Sequence, residues 1–267
     1  MDSPQIKRRI SDMMREVRRG RIPSSAQVVA QAFEELSLVP ERISRDQARQ
    51  NFGDILRQVW RHTLTVLERY EEQAYAQGIP GGLIDLLPEA VAHSEEVRRD
   101  QGFEAAVIAL LSAWYPYLRE AFLSVSQSRK TRGGGDFELQ FAGALKLAGI
   151  PFQEIKRTFR VDFMIPSDEI FRRNRTVAVV ASAKRTLRER WREVVEELQA
   201  LRSPNIFLVT ANGEVGSGHV RQICHSYGIH LVVWDHLKQR QYADEPLVLG
   251  YTQWASERIP ALEQFWQ

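Results

Sequence analysis

Apolar residues recur at spacings of three and four over most of the first 123 positions, and this periodicity predicts amphipathic helices over 4–19, 24–37, 44–77 and 101–123. Ser44 followed by Gln47 has the form of a capping box, and Gly78-Ile79-Pro80-Gly81-Gly82 reads as the stop of the third helix. The polar stretch Ser124 to Gly135, S-V-S-Q-S-R-K-T-R-G-G-G, is expected to be a loop and a domain boundary. Beyond it the pattern changes. Asp136 can cap a helix reaching about Ala148, with Phe137, Phe141, Ala144, Leu145 and Ala148 on one face. Strands are expected over 158–165, 177–183, 206–210 and 230–234, interleaved with helices over 187–201, 220–227 and 253–265. That order predicts an α/β fold over 128–267 with a central mixed β-sheet flanked by helices, preceded by an all-helical N-terminal domain over 1–127.

With 43% apolar and 26% charged residues among 267, the composition is that of an ordinary globular chain. The single cysteine, Cys224, is too few for a disulfide framework or a Cys-rich zinc cluster. No apolar run approaches a membrane span and Met1-Asp2-Ser3-Pro4 opens no signal region, so a soluble, cytoplasmic protein is expected. A net charge of +2 says little by itself, but Lys156 to Arg192 carries a local basic excess of seven. A phosphate-facing surface would produce that excess, and so would a merely solvated one.

Hydrolysing a phosphodiester at neutral pH needs a divalent cation, carboxylates to hold it, and a positive group near the attacking water. Asp162 in R-V-D-F and Lys184 in A-S-A-K, at the end of the next expected strand, stand where nucleases of the P-D-(D/E)-x-K design place such groups. Ser182 stands where that design has its second carboxylate. The following helix offers Glu193, Glu196 and Glu197 instead. At about 100° per residue, Glu197 lies roughly 95° from the centre of the apolar stripe Leu187, Trp191, Val194, Val195, Leu198 and Leu201, against roughly 135° for Glu193 and roughly 165° for Glu196. Singly, Asp162 reads equally as an edge-strand polar residue and Lys184 as a strand-end lysine; their combination with Glu197 carries the chemistry. Arg188-Glu189-Arg190 adds a set that can read C·G pairs, since arginine pairs bidentately with guanine and a carboxylate accepts from cytosine N4. An exposed helix start would also suit this triplet.

The string Lys184-Arg185-Thr186-Leu187-Arg188-Glu189-Arg190-Trp191-Arg192, followed by Glu197, resembles in type and spacing the strand-to-helix unit of type II restriction endonucleases of the EcoRII and CCGG-recognising families. In these the second carboxylate has moved to the helix. The resemblance is specific over about 132–210 and looks nearest to enzymes of the BsaWI/AgeI type. It implies a restriction-endonuclease-like PD-(D/E)xK core and Mg²⁺-dependent cleavage of double-stranded DNA at a short palindrome with a CCGG core, leaving 5′-phosphate ends. It further implies that Asp162 and Glu197 bind Mg²⁺, that Lys184 orients or activates the attacking water, and that Glu138 joins the catalytic set. For Glu138 the alternative is a first-turn glutamate favoured by the helix dipole.

On the same resemblance Arg188, Glu189 and Arg190 read bases, while Arg185, Arg192, Arg132 and Lys130 contact the DNA backbone. Cutting both strands of a palindrome needs two equivalent sites, so a homodimer or a higher oligomer is expected, with subunit contacts in the N-terminal helices. A cognate DNA methyltransferase would be its functional partner. A CCWGG-type site, a structure-guided repair nuclease and a non-catalytic DNA-binding protein of the same fold remain open. Gly213 to His219 lacks the Lys-Ser/Thr of a phosphate loop, and His219, His225, His230 and His236 lack zinc-site spacing.

Overall fold

The computed structural model describes residues 3–155, 161–187 and 191–266. The chain opens with helices α1 (Ser3–Arg18), α2 (Ser25–Glu35), α3 (Arg45–Gln50), α4 (Phe52–Leu86), α5 (Pro88–Gln101) and α6 (Phe103–Leu147). Ser44 caps α3 with the expected box, each partner of Ser44 and Gln47 bonding the other's backbone. The chain divides into two compact units, Met1–Val28 with Leu64–Arg132, and Val29–Thr63 with Gly133–Gln267.

The first unit is helical and packs around Ile10, Met14, Ile79, Leu83, Leu87, Trp114 and Tyr117. Gly78 and Gly82, expected to stop α4, lie inside it. A Cβ at Gly78 would fall 2.5 Å from the Val17 side chain, and one at Gly82 2.6 Å from Met13. The glycines let α1 press against the α4 backbone, and burial of Ile79 and Leu83 carries the helix on to Leu86. Helix α5 escaped the sequence reading because none of its residues is fully buried and only Ala90 and Val91 pack partly against the core, too few to give an apolar period.

The expected loop over 124–135 is instead part of α6, and Asp136 is a helix-interior residue rather than a cap. Each helical glycine costs about 1 kcal/mol relative to alanine. Close approach explains one of the three in Gly133-Gly134-Gly135, because a Cβ at Gly133 would lie 1.8 Å from Nη1 of Arg185. The complete burial of Phe137, Phe141 and Leu145 secures the following turns.

The second unit holds β1 (Gln153–Glu154), β2 (Phe163–Ile165), helix α7 (Asp168–Arg173), β3 (Val179–Lys184), α8 (Trp191–Gln199), β4 (Ile206–Thr210), α9 (Ser217–Val220), β5 (His230–Val233), α10 (Asp235–Gln241) and β6 (Val248–Gly250). Helix α9 continues in wider turns over Arg221–Ser226, and a terminal helical run extends from Tyr251 to Glu263. The strands form one sheet in the order β1-β2-β3-β4-β5-β6, antiparallel from β1 to β3 and parallel from β3 to β6. This is the mixed sheet flanked by helices that the sequence predicts. Residues 158–160 of the expected first strand lie outside the described residues.

The segment Val29–Thr63 belongs with the sheet rather than with the other helices because Phe52, Ile55, Leu56 and Val59 are buried in its core. Phe141 of α6 meets Phe163 of β2 edge-on with ring centroids 5.4 Å apart, and Trp254 at 5.5 Å. Removing a buried aromatic of this kind typically costs 3–5 kcal/mol, on the order of half a domain's stability. The same contact fixes α6 beside β2, one residue from Asp162.

Candidate active site

Strand β3 lies between β2 and β4, and Lys184 is its last residue, paired in register with Thr210 of β4. Side chains alternate across a sheet, so Ser182 and Lys184 share a face. Opposite them, Phe163 pairs with Ala181, and Asp162 lies one residue beyond the end of β2. The Asp162 amide still donates to the Ala181 carbonyl at 3.1 Å, which aims its side chain along β3.

One oxygen of Asp162 collects three donors from β3. Oδ2 accepts from Ser182 Oγ at 3.0 Å, from the Ala183 amide at 2.7 Å and from Lys184 Nζ at 2.7 Å. The β2–β3 ladder has ended at this point, so the Ala183 N–H on that side is satisfied by a side chain instead of a neighbouring strand. Charge-assisted bonds of this length are among the stronger ones in proteins. The other oxygen, Oδ1, receives no hydrogen bond among the described residues. Ser182 is fully buried, and its hydroxyl braces Asp162 where the nuclease pattern would carry a second acid.

Glu138 of α6 is half-buried beside this cluster. Burial pushes its carboxyl pKa up, the negative charges of Asp162 and Glu154 add to the rise, and Lys184 opposes it. Glu138, Asp162 and Lys184 therefore share one electrostatic neighbourhood. Glu154 on β1 belongs to it as well and was not anticipated. Its signal would have been a short strand pairing β2, but two residues are too few to show a period.

On α8, Glu197 is half-buried while Glu193 and Glu196 are exposed, the order expected from the helical angles. Among the described residues no group of three or more His, Cys, Asp and Glu side chains converges on a single ion position. Asp162 Oδ1, in a field of surplus carboxylate, still suits a hard divalent cation, because Mg²⁺ usually takes only one or two carboxylates and completes its shell with water and substrate phosphate.

Arg188, Glu189 and Arg190 lie outside the described residues, between Leu187 and Trp191. Of the four basic residues expected on the DNA backbone, Lys130 and Arg192 are exposed. Arg185 is half-buried with its guanidinium against Gly133, and Arg132 is half-buried and donates to the Pro23 carbonyl. No described helix is long and apolar enough to cross a membrane.

A family model described as "EcoRII C terminal" matches residues 108–248. The type II restriction enzyme SsoII of Shigella sonnei is 33% identical over 108 residues, a match covering 36% of this chain and 35% of that enzyme, so the match spans about a third of the curated relative's length. Among solved structures, metal-depleted Ecl18kI in complex with uncleaved, modified DNA superposes with a TM-score of 0.81 at 21% identity, covering 100% of this chain and 86% of that one. The complex of restriction endonuclease PspGI with substrate DNA gives a TM-score of 0.59 at 20% identity, covering 92% of this chain and 93% of that one. These likenesses show a shared restriction-endonuclease fold.

Proposed function

The chain belongs to the EcoRII C-terminal family, and on that premise we propose that it is a type II restriction endonuclease making Mg²⁺-dependent double-strand breaks at a short DNA palindrome. The observation that carries the reading is the capture of Asp162 by Ser182, Ala183 and Lys184 at the end of β3. An acid and a lysine are thereby fixed at one sheet edge with an acid oxygen to spare.

In this reading Asp162 and Glu197 hold Mg²⁺, which when bound would stabilise the negative charge that develops on the scissile phosphate. Asp162 presents Oδ1 while Oδ2 is anchored. Lys184, held 2.7 Å from that anchored oxygen, keeps a positive Nζ at the reaction edge to orient the attacking water. Glu138 belongs to the same set, supported by its electrostatic coupling to Asp162 and Lys184. Arg188, Glu189 and Arg190 read C·G pairs, and Lys130 and Arg192, the more exposed of the four basic residues, meet phosphates.

The site we assign is a palindrome with a CCGG core, cut to leave 5′-phosphate ends by a cytoplasmic homodimer, with a methyltransferase protecting host DNA. A CCWGG-type site is the second reading. Lys184→Ala, Asp162→Asn and Glu197→Ala should each lower plasmid cleavage at least about a hundredfold, the scale seen when one charged contributor to a transition state is removed. Full activity in any of the three would overturn that residue's assignment, and in all three the site itself.

A further inference from the structure

Arg185 follows Lys184 directly, and its side chain lies on α6. A Cβ on Gly133 would fall 2.8 Å from Cζ and 3.3 Å from Cδ of Arg185, so the guanidinium fits only because that position is glycine. The side chain is half-buried there. It makes no hydrogen bond and no ion pair with any described residue.

One turn further along the same face of α6 stands Asp136, since residues three apart on a helix are neighbours with Cβ atoms about 5–6 Å apart. Asp136 is 7% exposed, and its Oδ1 is buried without a hydrogen-bond partner. A carboxylate removed from water without a counter-charge is among the costliest groups a protein can bury. The guanidinium seated at Gly133 supplies that charge across a gap of about one water. Arg132, one turn before Asp136, is engaged with the Pro23 carbonyl.

We propose that Arg185 is a positioning residue, seated on the glycine turn of α6 and held by the charge of Asp136, that fixes the chain as it leaves β3. On one side Lys184 is tied to Asp162 at 2.7 Å, and on the other Leu187 is buried in the core. Arg185 ties the stretch between them to α6, so that Lys184 Nζ keeps its direction and the chain enters Arg188-Glu189-Arg190 from a fixed point. Resemblance to the EcoRII and CCGG-recognising families put Arg185 on the DNA backbone. A guanidinium laid on α6 beside a buried acid serves the lysine instead of a phosphate. The role rests on the nuclease reading and adds Gly133 and Asp136 to the residues that shape its site.

Cleavage kinetics of a plasmid-derived duplex with Mg²⁺, and binding of the same duplex without Mg²⁺ across a range of salt, test it. Arg185→Ala and Asp136→Asn should each lower kcat about tenfold with KM within about twofold, and the double variant should lose about tenfold rather than about a hundredfold, because both changes remove one shared interaction. Gly133→Ala should lower kcat as much in the wild-type chain and not at all beside Arg185→Ala, which decides the matter even if Asp136→Asn fails to fold. Loss of a phosphate contact makes the fall of log K with log salt shallower by about 0.9, whereas Arg185→Ala should leave that slope unchanged. A slope shallower by about 0.9, losses that multiply in the double variant, or full activity of Arg185→Ala would overturn the proposal. A wild-type chain that cuts no plasmid would overturn the nuclease reading itself, and the proposal with it.

Discussion

Ser182→Asp would put the carboxylate of the nuclease pattern back on the strand, and the geometry sets its cost. Ser182 Oγ lies 3.0 Å from Asp162 Oδ2 and is fully buried. Two carboxylates at that separation repel by about 5 kcal/mol at an effective dielectric of about 20. Lys184 Nζ, 2.7 Å from the same oxygen, offsets part of this, which leaves a net penalty of roughly 2–4 kcal/mol. For a protein of this size that lowers the thermal midpoint by about 5–15 °C. Ser182→Asn, with the same shape and no charge, should cost only about 1 kcal/mol. The repulsion raises the pKa of the added carboxyl, so its penalty is absent well below its ordinary pKa and grows as pH rises toward the folded value. Thermal melts of the two variants at pH 7 and pH 5 should therefore show a gap that narrows on acidification, and added Mg²⁺ should narrow it at pH 7. Equal midpoints at pH 7, or a gap insensitive to pH, would refute the geometry.

Other outcomes follow from the same structure. Glu189→Ala should relax discrimination at one C·G pair by roughly 5- to 150-fold, the worth of one specific base contact, read from cleavage of single-substituted sites. Burial pushes the Cys224 thiol up to about 12, so native protein at pH 8 should resist iodoacetamide while urea-unfolded protein reacts, as mass spectrometry would show. Burial and the nearby charge of Arg258 lower the pKa of His230, whose ring stacks on Phe207. A histidine held neutral contributes stability above about pH 6.5 that is lost as pH falls toward its folded value, and His230→Phe should flatten urea-unfolding stability across that window.

The parallel half of the fold was legible because β3, β4 and β5 are short, almost wholly buried runs whose apolar residues are continuous. The closeness of Asp162 and Lys184 could be expected from their places on successive strands, and the deeper burial of Glu197 than of Glu193 and Glu196 from helical angles. The continuity of α6 was not legible. Gly133, Gly134 and Gly135 count against a helix locally, while Phe137, Phe141 and Leu145 repay that cost through tertiary burial that no local pattern displays. The attachment of Val29–Thr63 to the sheet was hidden for the same reason, since Phe52 and Leu56 announce a buried face without naming its partner. The role of Ser182 needed coordinates, because a serine in a strand carries no sign that its hydroxyl will brace an aspartate twenty residues earlier.

The measurement that bears most directly on the central claim is sequencing of the fragment ends from one plasmid digest by the purified chain with Mg²⁺. Every end should carry a 5′-phosphate and fall at the same short palindrome, built around C·G pairs. Ends scattered without a common sequence would indicate a structure-guided nuclease, and intact plasmid with only a mobility shift would indicate a binding protein; either result would contradict the account.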